Sequence, residues 1–109
     1  MDLKTQFSDL TGFLQALGNT NRQDIIMALL DNLSCEGLRV EEIAHKINLS
    51  RPATSHHLKV LKSVNMVDFK REGTKNHYYL THNMDNIKRL KDLLDNTLEI
   101  IEEKSWKRS

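Results

Sequence analysis

Apolar residues in the first 33 positions recur every three or four residues, which is the spacing of an amphipathic α-helix. The first stripe consists of Leu3, Phe7, Leu10, Leu14 and Leu17. Gly18 is expected to end this helix, and the polar residues 19–21 offer side chains that cap the start of a second one. The second helix carries Ile25, Ile26, Leu29, Leu30 and Leu33. The pattern therefore predicts two consecutive helices, followed by a loop over residues 34–37.

A second pair of helices is predicted within residues 40–64, joined by a turn at residues 48–50. The helical spacing continues through Val40, Ile43, Ala44 and Ile47. Ser50 is a good N-cap for the next helix, and Pro52 falls in its first turn, where the missing N–H breaks no helical hydrogen bond. In this helix Thr54, Leu58 and Leu61 share one face, which we expect to be packed. The opposite, polar side carries Arg51, Ser55, His56, Lys59 and Lys62.

After Met66 the apolar spacing changes from helical to alternating, which indicates β-strands. Val67 and Phe69 point one way in the first strand, and Tyr78 and Leu80 restore the alternation in the second. Residues 71–76 between them form a polar turn, so the pair is a hairpin with a basic tip. A last helix is predicted from about residue 83. Its apolar positions are Met84, Ile87, Leu90, Leu93, Leu94, Leu98, Ile100 and Ile101.

Two short helices joined by a tight turn and followed by a hairpin predict a mainly α winged helix-turn-helix fold with about five helices. The chain has 109 residues, 39% of them hydrophobic and 28% charged, which suits one folded domain. We expect that domain to cover residues 1–104, with dimerisation helices at both ends, and residues 105–109 to be a candidate disordered tail. The longest apolar run, Ile25–Leu30, is too short to cross a bilayer, and the N-terminus lacks signal-peptide features. A cytoplasmic protein without a membrane partner is expected.

Charge separates the middle of the chain from its ends. Residues 45–79 hold seven basic and two acidic residues, whereas residues 1–44 hold three basic and seven acidic ones. A basic middle third on a winged helix predicts double-stranded DNA as the partner, with the fourth helix in the major groove and the hairpin on the backbone or minor groove. Arg51, Ser55 and His56 are expected to reach bases, and the lysines to reach phosphates. The candidate DNA-binding residues are Arg51, Thr54, Ser55, His56, Lys59, Lys62, Lys70, Arg71, Lys75 and Asn76.

Several stretches resemble the ArsR/SmtB family of bacterial transcriptional repressors, in register over roughly residues 13–81. The matching stretches are residues 16–22 (ALGNTNR), 42–44 (EIA), 49–61 (LSRPATSHHLKVL), 71–73 (REG) and 78–80 (YYL). The resemblance implies a homodimeric repressor that is released from DNA by a signal, and it matches the family's base-contacting positions to Arg51, Ser55 and His56. The broad apolar face of the last helix independently favours a dimer, since little of the domain remains to cover it. The candidate dimerisation residues are Leu3, Phe7, Leu10, Leu14, Leu90, Leu94, Leu98 and Ile101.

The chain departs from that family where its metal ligands lie. Arg39 and Glu41 stand where third-helix sensors carry two cysteines, and an Arg side chain offers only hydrogen-bond donors. The positions of the family's other site fall on His82, Met84, Asp95 and Leu98. We therefore expect no metal and no cofactor, and the sequence does not identify an effector. Cys35, the single cysteine, is expected to be an inert thiol.

Two alternatives remain at this point. Neighbouring histidines on a helix point about 100° apart, so we expect His56 to face outward and His57 to be partly packed rather than to form a metal pair. The whole domain is alternatively a protein-interaction module, because a winged helix does not by itself fix function. Salt dependence separates the two functions, since phosphate contacts weaken steeply with added salt. An enzyme is disfavoured because the four glycines are scattered and no activated nucleophile assembles.

Overall fold

The computed structural model describes residues 2–33 and 36–108, with side chains through residue 105. It contains five helices and one hairpin among these residues. The elements are α1 Leu3–Leu17, α2 Thr20–Leu30, α3 Val40–Ile47, α4 Arg51–Ser63, β1 Val67–Glu72, β2 Lys75–Leu80 and α5 Asp85–Arg108. The predicted winged helix-turn-helix arrangement is confirmed: α3 and α4 form the helix-turn-helix and the β1–β2 hairpin is the wing. No helix in this part of the chain is both long and apolar enough to cross a membrane.

Side-chain caps fix where the helices begin. The Asn19 side chain accepts a hydrogen bond from the Arg22 N–H and starts α2, and Ser50 does the same for the Ala53 N–H at the start of α4. The turn between α3 and α4 depends on Asn48, whose left-handed backbone (φ 55°) ends α3. These local signals explain why the starts of α2 and α4 and the turn between α3 and α4 lie where the sequence predicts them.

Three boundaries differ from the sequence prediction. α2 ends at Leu30, so Leu33 lies in a turn beyond it and is 66% exposed. The wing turn is only two residues long, because pairing continues to Glu72 and Lys75 and leaves Gly73 and residue 74 between them. α5 continues to Arg108, so its backbone is helical over 105–108, in the segment expected to be a disordered tail. Cys35 and residue 109 lie outside the described residues.

A third backbone segment pairs with the wing. Leu38 and Tyr78 exchange two backbone hydrogen bonds, each 2.8 Å long. Gly37 precedes this bridge with φ +110°, and a Cβ placed on it would lie 2.9 Å from the Tyr78 carbonyl oxygen. Both the positive φ and the close approach to the Tyr78 carbonyl oxygen therefore require glycine at position 37. The bridge holds the start of α3 beside the wing.

The interior consists of two hydrophobic clusters. The larger, here called the reader core, joins α2, α3, α4 and the wing. Its buried members are Ile25, Leu29, Leu38, Ile43, Leu58, Leu61, Val67 and Tyr78. The smaller, called the α1–α5 cluster, has three buried members, Leu10, Phe13 and Leu93. Met66 packs against both clusters and so connects the reader core to the α1–α5 cluster.

Candidate nucleic-acid interface

One face of α4 presents a row of polar and basic side chains to solvent. Arg51 has a side chain that is 66% exposed, and His56, Lys59 and Lys62 are exposed further along the helix. Ser55 is half-buried beside the wing. The opposite face is anchored by Leu58 and Leu61, which are fully buried in the reader core. The helix therefore has one side fixed by packing and one side available to a ligand.

Thr54 is the one predicted DNA-binding residue that the structure removes from this face. Its side chain is 0% exposed, and its hydroxyl donates a 2.8 Å hydrogen bond to the Ser50 carbonyl oxygen. A hydroxyl bonded back to the preceding turn and buried under the helix does not reach a base. Thr54 is a core residue, as its position on the packed face with Leu58 and Leu61 indicates.

His56 and His57 lie as predicted, with His56 exposed and His57 half-buried. The Nδ1 atom of His57 lies 3.2 Å from Nη1 of Arg22. A guanidinium only donates hydrogen bonds, so this contact requires an unprotonated Nδ1 on His57. Burial, together with the positive charges of Arg22 and His56, lowers the pKa of His57 below its ordinary value. His57 is therefore a neutral packing partner of Arg22 at neutral pH.

Arg22 has a structural role that the pattern of the sequence did not reveal. Its Nε donates to the Ala16 carbonyl oxygen at 2.7 Å, and its Nη2 donates to the Gln15 carbonyl oxygen at 3.2 Å. Together with the His57 contact, these bonds connect the C-terminal end of α1 to α4. Its occurrence in the family-like stretch 16–22 was the only signal that pointed to it.

The wing carries the remaining predicted DNA contacts near its tip. Lys70 lies 3.5 Å from a Glu72 carboxylate oxygen and 4.0 Å from one of Glu36, and the Arg71 Nε donates to the Gly73 carbonyl oxygen at 3.3 Å. These basic side chains are exposed, whereas Asn76 is half-buried. The Oδ1 atom of Asn76 is buried and has no hydrogen-bond partner among the described residues. The structure thus brings Lys70 and Arg71 to the surface and Asn76 to the boundary with the helices.

A polar cleft of about 390 Å³ separates the wing from the N-terminal ends of α3 and α4. Glu41 lies on its wall, and one carboxylate oxygen is 3.4 Å from the Lys75 Nζ and 3.7 Å from an Arg39 Nη. The other oxygen is 4.0 Å from the Arg51 Nε. Two residues predicted to bind DNA therefore share one acidic neighbour. Sequence reasoning noted Glu41 only as a replacement for a cysteine, because its partners are distant along the chain.

The predicted dimerisation residues divide into buried and exposed groups. Leu10 is only 1% exposed and belongs to the interior of the α1–α5 cluster, so it has no surface to offer a partner. Leu3, Leu14 and Leu90 are half-buried against the same cluster. The exposed members are Phe7, Leu94, Leu98 and Ile101. Leu94, Leu98 and Ile101 continue a stripe that begins at Met84 and Ile87, and these five residues are here called the α5 stripe.

An apolar cavity of about 560 Å³ lies between α2, the wing and the start of α5. Leu30, Tyr79 and Met84 are among the residues that line it, and none of its lining residues belongs to α4. This apolar cavity and the polar face of α4 are therefore separate features. Across the described ranges, no three His, Cys, Asp or Glu side chains come together in a way that could hold a metal ion.

Comparison with known proteins agrees with this geometry. A family model described as "Bacterial regulatory protein, arsR family" matches residues 19–68. The chain is 37% identical over 67 residues to the nodulation protein NolR of Rhizobium meliloti, a match that covers 62% of this chain and 52% of that protein. It is 32% identical over 76 residues to the arsenical resistance operon repressor of Staphylococcus aureus, covering 70% of this chain and 69% of the repressor. The match thus spans about half the length of the Rhizobium relative.

A solved structure has the same fold. It is a homodimeric winged helix-turn-helix DNA-binding domain from Mycobacterium bovis, described as a possible ArsR-family transcriptional regulator. The TM-score is 0.66 at 22% identity, and the alignment covers 100% of this chain and 93% of that one. At this identity the likeness shows the fold alone, which is the one predicted from the sequence.

Proposed function

The chain belongs to the arsR family of bacterial regulatory proteins, and from this premise we propose that this DNA-binding transcriptional regulator is a homodimeric repressor of an imperfectly palindromic operator. The observation that carries the proposal is the two-sided α4. Leu58 and Leu61 fix the helix in the reader core, while Arg51, His56 and Lys59 face solvent along its other side. A helix held in this way fits the major groove, where base edges are distinguishable.

We assign different roles to the helix and the wing. Arg51, Ser55 and His56 read bases, because they lie at the N-terminal half of α4, which is the part of a recognition helix that contacts base edges. Lys59, Lys62, Lys70, Arg71 and Lys75 bind phosphates and supply affinity that does not depend on sequence. Asn76, at the boundary of wing and helices, contributes to the same contact.

The α5 stripe and Phe7 supply the dimer surface in this proposal. Met84, just before α5, and the four stripe residues within α5 are between 39% and 57% exposed at helical spacing, and Phe7 of α1 is 49% exposed. A contiguous apolar surface of this kind is covered in a stable protein, and a two-fold axis lets two copies cover each other. The two recognition helices would then meet successive major grooves of a two-fold site. The homodimeric M. bovis domain of the same fold supports this arrangement.

The proposed role is regulatory rather than enzymatic, and it is exercised in the cytoplasm. Arg39 and Glu41 replace the two cysteines of third-helix metal sensors, so we propose that no metal binds at that site.

The test begins by selecting operator DNA from fragmented DNA of the source organism with the full chain, followed by sequencing. Binding of the selected duplex and of a random duplex of equal length is then measured by fluorescence anisotropy between about 50 and 200 mM salt. Ser55→Ala and His56→Ala are expected to weaken operator binding more than random binding. Lys75→Ala is expected to weaken both equally and to lower the salt slope by about one unit.

The matched control for Lys75→Ala is Lys91→Ala, because Lys91 is an exposed lysine of α5 that also pairs with a carboxylate, Asp95 at 2.8 Å. It is expected to change neither affinity nor salt slope. Selection of a discrete imperfect palindrome supports the proposal. Absence of any retained DNA, or affinity that does not respond to salt, contradicts it and favours a protein-interaction module.

A further inference from the structure

Glu41 is the acidic centre of the surface that we propose binds DNA. Its carboxylate lies 3.4 Å from the Lys75 Nζ of the wing and 4.0 Å from the Arg51 Nε of the recognition helix. Arg39 approaches the same carboxylate at 3.7 Å. The carboxylate is therefore placed between the two elements that must both meet DNA, and it pairs with one cation of each.

The fold holds Glu41 in this position through the backbone. Glu41 is in the first turn of α3, and the preceding Leu38 is bridged to Tyr78 of the wing by two 2.8 Å hydrogen bonds. Its own backbone N–H, followed by the side chains of Lys75 and Arg51, lowers the pKa of the Glu41 carboxyl. The group is therefore ionised at neutral pH, and its negative charge is fixed in the cleft between helix and wing.

We propose that Glu41 is a specificity-determining residue, whose carboxylate competes with DNA phosphates for Arg51 and Lys75 and so weakens binding to random DNA more than binding to the operator. The inference rests on the DNA-binding function proposed above. On random DNA Arg51 and Lys75 both have only phosphates to bind, so the carboxylate opposes both contacts there. On the operator Arg51 contacts a base, so the carboxylate opposes only the phosphate contact of Lys75.

The geometry of Arg51 gives Glu41 a second, favourable effect on the operator. Arg51 approaches the carboxylate through its Nε, at 4.0 Å. The two terminal amino groups then remain for a bidentate contact with guanine O6 and N7. At this separation the contact is an ion pair without a hydrogen bond, so the carboxylate attracts the Nε side of the guanidinium, leaves the terminal amino groups to a base, and repels a phosphate. Glu41 is thus a positioning residue for Arg51 as well as a competitor of the backbone.

Glu42 provides a matched control one residue away. Its carboxylate accepts from the Arg39 backbone N–H at 3.0 Å and pairs with the Arg39 Nε at 3.2 Å. Among the described residues, no hydrogen bond or ion pair joins it to α4 or to the wing tip. A Gln at this position retains the capping acceptor. Glu41→Gln and Glu42→Gln therefore make the same change of charge on the same helix, and only the first removes the carboxylate that pairs with Arg51 and Lys75.

The experiment compares the full chain and these two variants on the selected operator and on a random duplex, with melting temperatures recorded to confirm folding. Glu41→Gln is expected to tighten random binding by about three- to tenfold, the scale of one or two exposed ion pairs, and to change operator binding by about twofold or less. The ratio of operator affinity to random-DNA affinity is therefore expected to fall. Glu42→Gln is expected to leave that ratio unchanged. In a Lys75→Ala background the effect of Glu41→Gln on random binding is expected to shrink, which a purely structural role would not produce.

The inference is overturned if Glu41→Gln binds random DNA no more tightly than the unsubstituted chain, or if Glu42→Gln lowers the ratio equally. Either result leaves the proposed function intact, provided that the unsubstituted chain selects an operator. If the unsubstituted chain binds neither duplex, the DNA-binding proposal fails and the role of Glu41 fails with it. The behaviour of the unsubstituted chain therefore distinguishes the two failures.

Discussion

The reader core and the α1–α5 cluster differ in how completely the chain covers them. The reader core has eight buried members drawn from three helices, the wing and Leu38. The α1–α5 cluster has three, and the outer side of α5 exposes a stripe in which Leu94, Leu98 and Ile101 are each more than half exposed. One protomer therefore completes the first cluster by itself but covers only one side of α5.

This difference separates two tasks that the same short chain performs. A recognition helix must keep its orientation before it meets DNA, so its supporting core is closed within the protomer. The α1–α5 layer, by contrast, leaves apolar surface that we propose a second copy covers, so that the distance between the two recognition helices is set by how the copies meet. We therefore expect the stability of the reader core to be a property of one chain. The spacing of the two copies of α4 is expected to be a property of the dimer.

The largest effect is expected in the reader core. Leu58 is 0% exposed, so Leu58→Ala removes buried methyl groups and leaves a cavity, at a cost of about 2–5 kcal/mol in the free energy of unfolding. Urea titration followed by circular dichroism measures this loss. Leu94→Ala, at a position 57% exposed in the protomer, is the control, and it is expected to cost much less when both variants are measured at concentrations where the protomers are dissociated. Equal losses for the two variants would contradict the contrast between the clusters.

The backbone bridge of the reader side is expected to show the next largest effect. Gly37→Ala places a Cβ 2.9 Å from the Tyr78 carbonyl oxygen at φ +110°, which should cost about 1–3 kcal/mol of unfolding free energy. Gly12→Ala in α1 is the control, because its new Cβ meets nothing closer than Val64 at 4.0 Å and alanine favours a helix. That substitution is expected to stabilise the protein. Unchanged stability of Gly37→Ala would show that the close approach is not maintained in solution.

The α5 stripe is expected to affect assembly rather than the protomer. Leu98→Glu places a charge on an exposed apolar position and should weaken self-association by about tenfold, or about 1.4 kcal/mol. Sedimentation equilibrium measures the dissociation constant, and the helical content should stay unchanged. Glu99→Gln, a neighbouring exposed residue off the stripe, is the control. A Leu98→Glu variant that still dimerises normally would remove the α5 stripe from the interface.

The smallest effect on stability is expected from acidification, through His57 at the contact between α4 and Arg22. Burial lowers the pKa of His57 below its ordinary value of 6.5, so protonation favours the unfolded chain. This contribution to stability is complete above the unfolded value and is lost as the pH falls from about 7 toward the lower folded value. The melting temperature should decrease over that range, and His57→Gln should reduce the decrease while His56→Gln retains most of it. An unchanged pH profile in His57→Gln would assign the effect to other groups.

The sequence predicted the elements whose signals are local. Ser50 and Pro52 at the start of α4, and the spacing of Leu58 and Leu61, are readable within a few positions, and both the helix and its buried face were confirmed. The predicted wing turn, residues 71–76, was too long. Its true length is decided by the pairing of Glu72 with Lys75 rather than by local polarity.

Two site residues show why the chemistry was harder to read than the fold. Thr54 was assigned to DNA although its hydroxyl bonds to the Ser50 carbonyl oxygen within the same helix turn, a contact that depends on which way the side chain rotates. Glu41 was missed as a neighbour of two cations that we propose bind DNA, because Arg51 and Lys75 are ten and 34 residues further along the chain. Contacts of that separation depend on tertiary packing, for which a single sequence carries no direct signal.

The bridge between Leu38 and Tyr78 also determines when the protein becomes functional during synthesis. Both hydrogen bonds join a residue before α3 to one in the last strand, so the loop they close contains α3, α4 and β1. Closing a loop of that length costs chain entropy before the contact contributes to stability, so the bridge is expected to form after the helices inside the loop. On the ribosome, where the N-terminal part of a chain emerges first, α3 and α4 leave the exit tunnel before β2 does. The DNA-reading surface is therefore completed only when β2 has left the exit tunnel.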